Sequence, residues 1–152
     1  MTGLAVCGPQ SEIGRLVVRA AVRVPEGMSL HETALAMRAS NVSSALIVDS
    51  HAIVTERDLA AAWARRLVAD DPVEMVASHH PLVVSHDLPI VEAAALMLNR
   101  EVRHLIVLMA DGSAGVVSLR DVMAVLLQAV KPELWLATLR ISFGSSPDIW
   151  LG

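Results

Sequence analysis

Ala52-Ile53-Val54-Thr55-Glu56-Arg57-Asp58-Leu59 returns later in the chain as Gly115-Val116-Val117-Ser118-Leu119-Arg120-Asp121-Val122. Each copy carries two β-branched residues, then a hydroxyl residue, two variable residues and an aspartate followed by an aliphatic residue. The copies lie 63 positions apart, 52 against 115. A duplicated segment constrains the architecture before any single motif is interpreted. Upstream, the repeat continues at an offset of 60: Leu30, Glu32, Ala34, Met37 and Val42 fall opposite Ile90, Glu92, Ala94, Met97 and Val102. Val22 and Val24 likewise fall opposite Leu82 and Val84. Three extra residues around Ala110 to Ser113, with an Asp-Gly turn among them, account for the change of offset.

Both units read alike. A short strand ends near Val24 or Val84, and apolar residues at i, i+4 and i+7 then define one helical face: Leu30, Ala34, Met37 and Ile90, Ala94, Met97. The methionines on these faces are read as core. Two β-rich runs follow, Ala45 to Val48 with Ile53 to Thr55, and Leu105 to Met109 with Val116 to Ser118. A second helix then starts at Asp58 or Asp121, which makes each unit βαββα and the fold class α+β. The register of the middle strand is ambiguous. Matching Val42 with Val102 gives an offset of 60, but matching Leu46-Ile47-Val48 with Leu105-Ile106-Val107 gives 59, and a shift of one residue reverses every side chain.

The expected organisation is an N-terminal segment at 1–19, a first repeat at 20–70, a second at 71–130 and a tail at 131–152. Asp70-Asp71-Pro72 interrupts the helix that starts near Asp58 and links the halves, since proline cannot continue a helix and aspartate favours turns. The tail has a helix-compatible stretch from Glu133 to Arg140 and two large apolar anchors, Trp135 and Trp150. Those tryptophans suit packing on the chain's own repeats or on a second copy.

Bulk composition excludes several classes. With 54% hydrophobic and 18% charged residues, the 152-residue chain has enough apolar material for a folded core. A net charge of −4 provides no broad basic surface, so nucleic acid is not an expected partner. Cys7 is the only cysteine, which rules out an intrachain disulfide and fits a reducing cytoplasm. Leu4-Ala5-Val6-Cys7 lacks the basic stretch and long apolar segment of an export signal and is read as a frayed terminus. No apolar run reaches the roughly 20 residues that cross a bilayer, so a soluble protein is expected.

The repeated motif admits two chemical readings. Ser/Thr-x-x-Asp ahead of an apolar run is a capping box that satisfies orphan helix N–H groups. The same carboxylate can also accept bonds from two neighbouring hydroxyls, as on a ribose diol, while Thr55 or Ser118 bonds a further ligand atom. Helix-start N–H groups, with Arg57 or Arg120 beside them, favour an attached phosphate.

The full order of strand, Ala/Met helix, two strands and capped helix, repeated over about 110 residues, resembles the cystathionine-β-synthase (CBS) domain pair, or Bateman module, here standing alone. The resemblance implies two repeats about a pseudo-two-fold axis, with two clefts that take AMP, ADP, ATP, S-adenosylmethionine or related ligands, and pairing into a homodimer. It also implies that Asp58 and Asp121 bind ribose hydroxyls, that Thr55 and Ser118 assist at ribose or phosphate, and that Arg57 and Arg120 lie near phosphates. The start of the middle strand lines the clefts in such proteins, which here means Ser43 and Ser44, then Arg103 and His104. This sequence departs from the pattern at Ala52, where a glycine is usual, in lacking the middle-strand proline, and at Glu56, a negative charge beside a proposed phosphate. The Asp121 cleft, with Gly115, Arg120, Arg103 and His104, is therefore the better expected anion site.

His79, His80 and His86 match no metal-site spacing, and no metal is expected. Arg65-Arg66 reads as a solvated helix face. No nucleophile, base and orienter stand at a recognisable spacing, so the chain is read as a non-enzyme with no obligatory cofactor. The expected function is adenosine-nucleotide binding, with energy sensing reported to a separate effector protein. The alternative is a ligand-free scaffold with degenerate clefts.

Overall fold

Period-2 and helical patterns give way to one another twice along the chain, and the architecture follows them. A computed structural model describes residues 7–17, 20–48, 50 and 52–131. The first repeat consists of β1 (Arg23–Val24), α1 (Leu30–Ala39), β2 (Ser44–Ile47), β3 (Ile53–Thr55) and α2 (Glu56–Ala64). The second consists of β4 (Val83–Ser85), α3 (Ile90–Arg100), β5 (His104–Leu108), β6 (Ala114–Ser118) and α4 (Leu119–Val130). Each forms a three-stranded sheet, β1-β2-β3 and β4-β5-β6. The first pair of each sheet is parallel because a helix carries the chain across, and the second is an antiparallel hairpin. The α+β, twofold βαββα reading is the architecture observed.

The helical faces are buried as the pattern requires. Met37 and Met97 are 2% and 0% exposed, and both lie among core residues. Ser29 caps α1 through a full capping box with Glu32. Pairing of Ser44 with Thr55 and of His104 with Ser118 makes Ser44 the counterpart of His104, which settles the middle-strand offset at 60. The three extra residues sit in the β5–β6 hairpin, where Gly112 takes φ +82° and Met109 N–H bonds to the Ser113 carbonyl at 2.8 Å.

Two expectations about helix ends are corrected. α2 and α4 start at Glu56 and Leu119, so Asp58 and Asp121 are the third helical residues, because the hydroxyl residue rather than the aspartate is the N-cap. α2 also ends at Ala64, well before Asp70-Asp71-Pro72. Arg66 there adopts the left-handed conformation at φ 60°, and Leu67 N–H closes on the Ala62 carbonyl.

The segments ahead of the repeats exchange places. Ile13 and Leu16, in a 3-10 turn at Ile13–Leu16, are buried with the second-repeat residues Ile90, Met97 and Leu105. Val73, in the turn at Val73–Met75, is buried with Val24, Met37 and Val54 of the first. The hydrogen bonds match at an offset of 60: Ile90 N–H to Ser11 and Leu30 N–H to Asp71, both 2.9 Å, then Ile13 N–H to Leu88 (2.8 Å) and Val73 N–H to Met28 (2.9 Å). Such reciprocal contacts are those of a pseudo-two-fold relation. Between the sheets, Leu46 and Ile53 of one repeat and Ile106 of the other form a separate buried cluster.

Among the described residues, no helix is long and apolar enough to cross a membrane. The tail readings at Glu133 to Arg140, Trp135 and Trp150, and the N-terminal stretch before Cys7, lie outside the described residues. Cys7 itself is buried against the second repeat.

Candidate ligand-binding cleft

Both hydroxyl–aspartate motifs form capping boxes. Thr55 donates its hydroxyl and backbone N–H to Asp58 Oδ2, each at 2.7 Å, and Asp58 N–H returns a 3.4 Å bond to Thr55 Oγ1. In the second copy, Ser118 bonds Asp121 Oδ2 at 2.6 Å from its hydroxyl and 2.8 Å from its N–H, with 3.3 Å for the return. Among the described residues, these contacts use Oδ2 of each carboxylate. The bonds hold both carboxylates in place at the helix starts.

A cleft of about 180 Å³ opens between the repeats. The first repeat supplies Ser43, Thr55, Glu56 and Arg57 to its wall, and the second supplies Glu101, Arg103 and His104. The strand starts are tied to the helix starts: Glu56 N–H bonds the Ser43 carbonyl at 3.1 Å, and Leu119 N–H bonds the Arg103 carbonyl at 2.7 Å. Across the repeat boundary, Ser43 Oγ and His104 Nε2 share a 3.0 Å hydrogen bond. Burial pushes the His104 imidazole below its ordinary pKa, and nearby Arg103 acts the same way; Asp121, Asp58 and Glu56 pull in the opposite direction. His104 is therefore within electrostatic reach of both motif aspartates.

Five of the ten sequence-designated residues, Ser43, Thr55, Arg57, Arg103 and His104, meet at this cleft. Asp58 is behind Thr55 in the capping box. Ser44 is buried in β2 and does not form part of the wall. Ser118, Arg120 and Asp121 lie at the start of α4, outside this wall. His104 is paired with Ser118 across β5 and β6, yet its ring bonds to Ser43 of the other repeat.

Glu101 was not singled out in the sequence. It follows α3 with φ 55°, a left-handed conformation, and Asn41 at the matching point after α1 has φ 52°. Asparagine tolerates that region, and the repeat offset carries the signal from position 41 to 101. The glycine departure also has a packing cause. A Cβ on Gly115 would lie 2.2 Å from Val17 Cγ1. The residues matching Gly115 and Val17 are Ala52 and Ala77, both buried in one cluster, so the smaller strap residue leaves room for the Ala52 methyl.

Comparison with known proteins agrees with this architecture. The family model of the CBS domain matches residues 71–128. A CBS domain protein from Pyrobaculum aerophilum, complexed with AMP, is 31% identical with a TM-score of 0.67, covering 78% of this chain and 98% of that one. A CBS domain pair in complex with 5′-methylthioadenosine and S-adenosyl-L-methionine shares the fold at 20% identity and a TM-score of 0.66, covering 76% of this chain and 94% of that one. An uncharacterized 17.7 kDa protein from Acidianus ambivalens is 33% identical over 109 residues, 68% of this chain, and the chain spans 66% of that relative's length. With its duplicated βαββα units and paired capping-box motifs, the chain belongs to the CBS domain family.

Proposed function

We propose that the chain is a regulatory module that binds an adenosine-containing ligand between its repeats and reports occupancy to a separate protein. The observation that carries this reading is the convergence of Thr55, Ser43, Arg103 and His104 on one cleft, with Asp58 pre-positioned by its capping box. A carboxylate oxygen, hydroxyls and cationic groups together suit a ribose bearing a polar or anionic 5′ substituent. The AMP bound by the Pyrobaculum relative, and the methylthioadenosine and S-adenosylmethionine bound by the second neighbour, are ligands of this class. Signalling requires that the ligand bind one arrangement of the halves better than another. The module acts in the cytoplasm as a homodimer, for which the exposed Trp63 on α2 offers apolar surface to cover.

The offsets that relate the repeats, 60 and 63, carry the cleft wall onto Ser43, Ser44, Arg103, Ser118, Leu119 and Arg120, with Asn41 in place of Glu101. Leu119 and Asn41 thus stand where the first cleft has Glu56 and Glu101. Loss of two carboxylates favours an anionic ligand group on the Asp121 side. A scaffold with degenerate clefts is the second reading, and Glu56 in the wall is the feature that favours it.

Thermal-shift titration against AMP, ADP, ATP, S-adenosylmethionine, NAD and cyclic dinucleotides tests the proposal, because a native-state ligand raises the unfolding temperature. A selective, saturable shift is expected. Asp121→Ala is expected to weaken binding on its side by about 1.5–3 kcal/mol, the worth of charge-assisted bonds to ribose. Asp58→Ala tests the first cleft in the same way. No shift with any of these ligands would support the scaffold.

A further inference from the structure

We infer that His104 sets the net charge of the cleft, so that its protonation moves the ligand preference from an uncharged nucleoside toward the corresponding anionic phosphate ester. This rests on the adenosine-ligand reading above and names how that site is regulated. The wall carries two carboxylates, Glu56 and Glu101, and two guanidinium groups, Arg57 and Arg103. Their formal charges cancel, and Asp58 behind Thr55 adds one negative charge, so that a proton on His104 brings the sum from −1 to zero.

The imidazole is not a solvated bystander. Its Nε2 is 3.0 Å from Ser43 Oγ, across the boundary between repeats. The groups acting on it come from both halves: Asp58 and Glu56 from α2, Asp121 from α4, and Arg103 from the residue before β5. Burial outweighs the three carboxylates and keeps the ring neutral at neutral pH. A phosphate in the cleft adds negative charge beside that ring and favours the imidazolium, so the complex takes up a proton. By linkage, the added affinity is absent above the pKa of the complex, grows as pH falls through it, and is complete below the pKa of the free protein. An uncharged nucleoside gains nothing from the same proton.

The test is calorimetric titration of the full chain with adenosine and with AMP, at about pH 5.5 and about pH 8, values that bracket histidine titration. His104→Gln is run beside the wild type, since glutamine keeps a polar side chain to meet Ser43 but takes up no proton in this range. The phosphate of AMP itself titrates with a pKa of about 6, equally for both proteins, and cancels in the comparison. The expected result is an AMP-over-adenosine preference that rises about five- to tenfold more on acidification in the wild type than in His104→Gln. Equal pH profiles in the two proteins would overturn the inference while leaving nucleoside binding intact. If neither ligand binds at either pH, the nucleoside reading falls and this inference falls with it. Should His104→Gln fail to fold, wild-type heats of AMP binding in buffers of different ionisation enthalpy decide the matter: net proton uptake supports the inference, and none overturns it.

Discussion

Thr33 is fully buried on α1, and its hydroxyl has no hydrogen-bond partner among the described residues. Ala93, its counterpart on α3, is also fully buried. Replacing the hydroxyl by a methyl keeps the shape and removes an unpaired polar group. Thr33→Val is therefore expected to stabilise the protein by about 1 kcal/mol, seen in thermal unfolding as a rise of about 2–4 °C. His104 gives stability a pH dependence of known sign. Burial holds its folded pKa below the ordinary 6.5, so the unfolded chain binds a proton that the folded chain resists. Its contribution is complete above the unfolded pKa and is lost as pH falls through the folded one. Unfolding midpoints measured without ligand should decline on acidification below about pH 6.5, where unfolded histidine begins to titrate, and decline less in His104→Gln. Glu32, Asp87 and Asp111, whose pKa values are lowered chiefly by hydrogen bonds from Ser29, Ser85 and Ser113, act only further into acid.

At the scale of elements, each repeat is completed by a strap belonging to the other half. The second strap joint pairs Val17 with Gly115, and the first has Ala77 and Ala52 at the same points. A methyl on Gly115 meets a β-branched side chain that has few alternative rotamers. Gly115→Ala should cost about 1–3 kcal/mol through overpacking. Val17→Ala combined with Gly115→Ala reproduces the residues of the first joint. The double variant is expected to be more stable than Gly115→Ala alone, and denaturant titration of the four proteins in the cycle measures the coupling. Additive effects would mean that the strap does not press on β6. The Ala52 departure is in this view a matter of strap packing and no evidence against a working cleft.

For the whole molecule, the exchange of straps means that neither repeat holds its own complete core. Ile13 and Leu16 lie among the buried residues of the second repeat, and Ile13 is fully buried. A fragment of residues 71–131 would leave that space empty, and cavities from lost large apolar side chains cost about 2–5 kcal/mol each. Its proton spectrum should show poor dispersion, and adding a peptide of residues 7–17 should restore order. A well-dispersed fragment spectrum without the peptide would show that the strap is dispensable. The cleft lies between repeats, so the same exchange ties its wall to the integrity of the pair.

The duplication determined most of the fold by itself. Strand runs, the Met37 and Met97 faces and the two hydroxyl–aspartate helix starts are local patterns, written within ten or so residues of chain. Thr55 and Arg57 can be designated as candidate site residues from the motif itself, whereas Ser43, Arg103 and His104 follow only from the family resemblance. The sequence left the middle-strand register open between 59 and 60, since apolar residues fill both alignments, and only the pairing of Ser44 with Thr55 and His104 with Ser118 decided it. It placed the end of α2 too late, because Arg66 carries no compositional sign of a left-handed backbone. Tertiary structure alone decided that Arg103 and His104 face the Thr55 motif, that Glu101 joins them, and that the straps cross. These are contacts between segments some 60 positions apart, set by packing across a pseudo-two-fold relation, and no local pattern encodes which half a side chain will meet.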